Sequence, residues 1–177
     1  MSTVRFNTWQ DSGGTEVANS TLGTGKILQV VSTTKTDTFS TTSTSMTDIT
    51  GLTVSITPTS TTSKILVFAD VAFDASALTT TAYRMMRDST PVGVGDAAGS
   101  RPQVSKSCVV LAANRQTTTF MSVLDSPSST SALAYHVECA VESGNTLYVN
   151  RRNTDTDSSS LPNSRSVSTI TVMEVSA

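Results

Sequence analysis

Apolar residues recur at every second position through "TDITGLTVSITPTSTTSKILV", Thr47 to Val67, although the stretch is crowded with hydroxyl side chains. Successive side chains of a strand point to opposite faces, so a period of two is the signature of a β-strand with one face on a core. Ile49, Gly51 and Thr53 fall on one side by this count, and Leu52, Val54 and Ile56 on the other. Pro58 and the run Thr59-Ser60-Thr61-Thr62 break the rhythm, because proline removes a ladder donor and the polar cluster suits a turn. From Lys64 the alternation returns, with Ile65, Val67, Ala69, Val71 and Phe73 sharing a face. Threonine explains the composition. It is β-branched, so it fits a pleated sheet while presenting water with a hydroxyl. Serine and threonine make up about a third of the 177 residues.

The same pattern predicts further strands over 26–33, 36–42, 81–88, 105–112, 116–124, 132–141, 146–152 and 167–175. Turn signals separate them at Asp88-Ser-Thr-Pro91, Gly93-Val-Gly95, Ser126-Pro-Ser-Ser129, Ser143-Gly-Asn145 and Asp155–Pro162. Eight to ten short strands at regular spacing, with no helical periodicity, predict an all-β sandwich or barrel over 26–177. Residues 1–25 alternate weakly, carry Gly13-Gly14, and hold Phe6 and the single tryptophan, Trp9. They read as an extended N-terminal arm whose aromatic pair buries itself either on its own domain or on a neighbouring chain.

Charged residues are 15% of the chain and the net charge is −2, which gives no electrostatic reason to expect nucleic acid or a membrane surface as partner. The start lacks a charged segment followed by an apolar one, so no secretory signal is expected. No run approaches the ~18 apolar residues of a membrane helix. Cys108 and Cys139 have neither zinc nor CxxC spacing, and both read as buried free thiols, with a disulfide as the alternative.

Chemistry is harder to find. The one histidine, His136, lies with Glu138 on the face opposite Leu133, Tyr135, Val137, Cys139 and Val141. A general base needs a reacting partner, and no GxSxG, HExxH or second histidine supplies one, so His136 reads as an exposed or interface residue. Gly93, Gly95 and Gly99 precede no helical pattern and no GK[ST], which leaves them as loop glycines. Asn153-Thr-Asp155-Thr-Asp157 offers Asp155 and Asp157 as weak calcium candidates, without the glycine or distal glutamate of an EF-hand. No catalytic residue and no cofactor is expected. A glycan-cleaving enzyme would need paired carboxylates such as Asp155 with Asp157 or Glu138 with Glu142, and carboxylates on strands and loops are usually solvated.

"GKILQVVSTTKTDTFSTTSTSMTDITGLTVSITPTSTTSKILV" (25–67), "RDSTPVGVGDAAGSR" (87–101), "FMSVLDSPSSTSA" (120–132), "LYVNRRNTDTDSSS" (147–160) and "STITVMEVSA" (168–177) together resemble virion proteins of tailed bacteriophages, notably cyanophages and other marine phages. "FNTWQDSGG" resembles the leader ahead of such domains in phage fibre proteins. The resemblance implies a jelly-roll β-sandwich, similar to the heads of C1q and tumour necrosis factor, assembled as a homotrimer. It implies a structural protein of the virion surface that contacts other virion proteins through Phe6 and Trp9. It carries no catalytic residues. A short tail fibre or fibre tip would meet host-surface glycans through its polar loops. Arg87, Asp88, Asp96, Arg101, Asn153, Asp155 and Asn163 are the candidate contacts, with Thr79–Thr81 as a further candidate loop. The absence of a long shaft keeps a capsid decoration protein as the alternative.

Overall fold

The computed structural model describes residues 25–177, and the arm with Phe6 and Trp9 lies outside them. Eleven strands follow in order: β1 (Ile27–Lys35), β2 (Phe39–Thr41), β3 (Thr47–Ile56), β4 (Lys64–Ala75), β5 (Thr79–Arg87), β6 (Thr90–Val92), β7 (Lys106–Val110), β8 (Thr117–Asp125), β9 (Leu133–Val141), β10 (Leu147–Val149) and β11 (Ser168–Val175). All pairings are antiparallel. Sheet one holds β1, β2, β4, β8, β10 and β11, and sheet two holds β3, β5, β6, β7 and β9.

Three pairs of these strands are single strands with an interruption. β1 pairs with β11 while β2 pairs with β10, and β11 and β10 lie in succession along the same edge of β4. β6 and β7 likewise share one edge of β5. Merged, sheet one reads β1/β2, β11/β10, β4, β8, and sheet two reads β3, β9, β5, β6/β7. Four positions per sheet, with the chain crossing between sheets in this order, are a jelly roll. The all-β sandwich expected from the alternation is the fold found.

The core lies between the sheets. Ile65, Val67, Ala69, Val71 and Phe73 of β4 are fully buried, opposite Tyr83, Tyr135, Val137 and Cys139 of sheet two. Phe73 and Tyr83 join the sheets with ring centroids 5.1 Å apart. Arg87, Asp125 and Tyr135 join them again. Arg87 donates to Asp125 Oδ2 at 2.6 Å and the Tyr135 hydroxyl donates to the same oxygen at 2.7 Å.

The structure corrects several expectations. Ile49 and Leu52 both face the core, against the strict alternation, because the β3–β9 register slips between Asp48 and Thr53. Gly51, at φ +83°, takes up the extra residue of this bulge. Thr90–Val92, read as part of a turn, is the edge strand β6. Pro91 reads as a strand breaker, but it is tolerated here because an edge strand leaves one side of its backbone unpaired. Thr79–Thr81 is no loop. It opens β5, and Thr79 and Thr81 are buried. Both cysteines are free, but only Cys139 is buried, whereas Cys108 is half-buried. Burial, with the charges of Glu138 and Asp48 adding to it, pushes the Cys139 thiol up to about 12.

Buried polar groups close the open ends of the sandwich. Asn150 ends β10 at φ +62° and is fully buried. Its amide nitrogen donates to the carbonyls of Lys35 and Asp37, both at 2.9 Å, and its oxygen accepts from Ser168 at 2.6 Å. At the other end Glu174 is buried beneath the β3–β4 turn and accepts from Gln29 at 2.7 Å and from the Thr59 amide and hydroxyl, each at 2.7 Å. Burial by itself would raise its pKa, but the hydrogen bonds from Gln29, Ser63 and Thr59 prevail and hold the carboxyl at about 2.

Two outcomes follow for stability. Asn150→Ala leaves two carbonyls and a serine without their partner and loses a residue tolerant of positive φ. It should cost ~2–4 kcal/mol in denaturant unfolding. The folded Glu174 carboxyl titrates below its ordinary 4.5, so the unfolded chain takes up its proton first as pH falls. Its stabilisation is therefore complete above pH 4.5 and is lost as pH falls toward 2. Glu174→Gln should lower stability at neutral pH by ~1–3 kcal/mol and flatten the decline in melting temperature across that window.

Candidate functional site

Two surface regions gather candidate functional side chains. The first is the segment 150–167 between β10 and β11, which contains a short 3-10 turn at Leu161–Asn163. Its root is rigid. The fully buried Asp74 carboxylate accepts the backbone N–H groups of Ala75 (2.8 Å), Arg115 (3.3 Å) and Asn153 (2.8 Å). Asn114 accepts the Thr154 N–H at 2.7 Å, so the β7–β8 connection and residues 153–154 are held together. Arg151 lies 4.1 Å over the Tyr148 ring. Further out, Asp155, Asp157, Ser158, Asn163 and Arg165 surround a small cleft of about 210 Å³.

The candidate contacts Asp155 and Asn163 are therefore brought together with Asp157. Asn153 contributes its backbone N–H to Asp74. Asp155 already faces Arg165 at 2.7 Å and Arg151 at 4.0 Å. Asn163 accepts from Arg152 at 3.2 Å. This arrangement argues against calcium at Asp155 and Asp157, because two guanidinium groups stand where a dication would need more oxygen ligands.

The other predicted contacts lie elsewhere. Asp88, at φ +50°, receives the Ala134 N–H on its side chain at 3.0 Å and donates its own N–H to the Ala134 carbonyl at 2.7 Å. It closes the turn between β5 and β6 onto β9. Asp96 and Arg101 are exposed in the β6–β7 connection, where Arg101 donates to the Ala98 carbonyl at 3.3 Å. Arg87 is not a loop residue but the end of β5, occupied by Asp125.

The second region is the outer face of sheet two. Arg84 of β5 donates to Glu138 Oε2 of β9 at 2.8 and 2.6 Å. His136 Nε2 lies 3.1 Å from Asp48 Oδ1 of β3. His136 and Glu138 do share the outward face, as their spacing predicts, but both are half-buried rather than exposed. Metal-ligating atoms of Asp48, His136 and Glu138 lie within 4.8 Å of one another. Glu138 Oε2, however, is already committed to Arg84. Beside them runs an open groove of about 800 Å³, walled by Met46, Thr80, Arg84, Pro102, Ala140 and Glu142. An apolar floor flanked by one cation and one carboxylate can seat the apolar ring face of a sugar while pairing its hydroxyls.

Sequence reasoning did not find Arg84 or Met46 as site residues. Arg84 has the outward parity of β5, but nothing in the alternation says that β5 lies beside β9 and puts Arg84 opposite Glu138.

No family model matches the chain, and no curated protein matches it. Among solved structures, the structure of infectious bursal disease virus, Gx strain, matches with a TM-score of 0.43 at 14% identity over 84% of this chain. The match spans 40% of that viral chain. A likeness this slight transfers no function from one chain to the other.

Millimolar calcium should leave the melting temperature unchanged. A rise with added calcium that Asp155→Asn abolishes would establish an ion site in the 150–167 segment.

Proposed function

We propose that this chain is a structural protein of a bacteriophage particle, carried on the particle surface as a short tail fibre or fibre tip. The observation that carries the reading is the coincidence of two patterns. The ordered segments that resemble phage virion proteins span residues 25–177, and those residues build one jelly roll. Fold alone does not imply function, so the weight rests on the segments and their order. Jelly rolls are nevertheless a common building unit of viral shells and lectins.

In this reading the heads group as a homotrimer and residues 1–25 attach them to other virion proteins. The groove beside Arg84 and the cleft at Asp155–Arg165 face host-surface glycans. Binding at each site would be weak, and repetition around a threefold axis would raise the effective concentration of the remaining sites. No catalytic step is assigned to the protein.

Antibody labelling of intact particles by electron microscopy tests the location, and label at the tail is the expected outcome. Label over the head would make the protein a capsid decoration protein, and absence of label would end the virion reading. Purified protein should compete with phage for host cells, and Arg84→Ala should weaken that competition by ~10-fold or more, the size of a lost charge-assisted hydrogen bond. Protein that ignores cells to which whole phage binds would end the receptor role.

A further inference from the structure

Sheet one has an outer face that departs from the hydroxyl rule. Val30, Met173, Leu66 and Leu124 are successive cross-strand partners on β1, β11, β4 and β8, and they form one apolar row across the whole sheet. Val30 is 54% exposed and Leu124 51% exposed. Phe68 and Phe120 stack on the same face with centroids 5.9 Å apart, and Phe120 is 56% exposed. Outward positions beside this row carry hydroxyls, as at Ser32, Thr171 and Ser122, so solubility does not account for leucine, valine and phenylalanine here. Contiguous exposed apolar patches of this kind mark interaction surfaces.

We propose that this face packs against the same face of a second copy of the chain. The two-fold axis runs between the two sheets and across their strands. The charges on the patch select this arrangement. Within the strands they are Lys64 and Asp70, both exposed, both on β4 and about 20 Å apart at strand rise. An axis across the strands lays β4 antiparallel over its copy, so that Lys64 meets Asp70 twice and Leu66 meets Phe68. An axis along the strands and over β4 would set Lys64 on Lys64 and Asp70 on Asp70, which is repulsive, and one between β11 and β4 would set Lys64 on Val175 and Asp70 on Thr169, leaving both charges without a partner. Self-complementarity of one patch is what an isologous contact requires.

The size is sufficient. Four strands wide and seven residues long, the face measures roughly 20 by 23 Å. Two such faces meeting remove on the order of 1,000 Å², the threshold of a specific interface. Pairing leaves the groove open, because it lies on sheet two, and the 150–167 segment borders the patch, covering the outward side of β4 at Asp74 beyond Asp70. Pairing is therefore compatible with the proposed threefold grouping, and the two together would give six chains.

Light scattering on the full chain tests the pairing. The expected mass is an even multiple of 18.5 kDa, two chains or six. Leu124→Glu should halve the assembly, with an unchanged circular dichroism spectrum because the side chain is half-exposed. Lys64→Glu and Asp70→Lys should each weaken assembly at least tenfold, and the double variant should restore it. The two positions are too far apart to interact within one chain, so restoration can come only from contact between copies. One or three chains in the parent protein would overturn the pairing, whether residues 1–24 or another protein cover the face instead. Single reversals that the double variant does not rescue would overturn it as well. Particle labelling tests the virion reading alone and the mass tests the pairing alone, so the two can fail separately.

Discussion

The Asn150 side chain holds together two strands that are each broken in the middle. Where β1 gives way to β2 the carbonyls of Lys35 and Asp37 turn inward, and where β10 gives way to β11 the chain leaves the sheet for eighteen residues. Unpaired carbonyls at buried strand breaks would cost several kcal/mol. One amide satisfies both and passes the connection on through Ser168, whose hydroxyl accepts the Ala72 N–H of the central strand at 3.1 Å. The breaks are thus stitched to β4. The excursion between β10 and β11 can then carry a surface site without unravelling the sheet. Asp74 does the same for the far side of that segment by collecting three backbone donors.

These polar nodes separate what was legible in the sequence from what was not. The faces of β4 and β9 could be read directly, because both strands are long and alternate without interruption. Their predicted inward residues, from Ile65 to Phe73 and from Leu133 to Val141, are all buried. The β3 faces could be read only as far as Gly51, since a bulge shifts the phase and a period-two count has no way to register an extra residue. Asn150, Asp74 and Glu174 looked like ordinary polar residues. Their partners stand as far as 145 residues away in sequence, and only the topology brings them together.

The candidate contacts divide along the same line. Asp155, Asp157 and Asn163 come together because one segment carries them. Arg87 looked like loop because Asp88, Ser89 and Pro91 follow it, yet it belongs to the strand and its charge is spent across the sheets on Asp125. Arg84 escaped notice for the opposite reason. It lies in the middle of a strand, and its pairing with Glu138 needs the β5–β9 adjacency.

The two outer faces of the sandwich are chemically unlike, and this difference bears on how the protein would be used. Sheet two presents charge pairs, a histidine and a groove, all groups that tolerate water and select among polar ligands. Sheet one presents a row of aliphatic side chains and a pair of stacked phenylalanines, which gain little from water and gain most from a large, flat, apolar partner. Packing the sheet-one face against a partner would leave the sheet-two face exposed, so the sandwich has two chemically distinct sides. Threonine and serine give many solvent-facing positions a hydroxyl without adding charge. Copies can then crowd together without the mutual repulsion that a charged surface of the same solubility would impose.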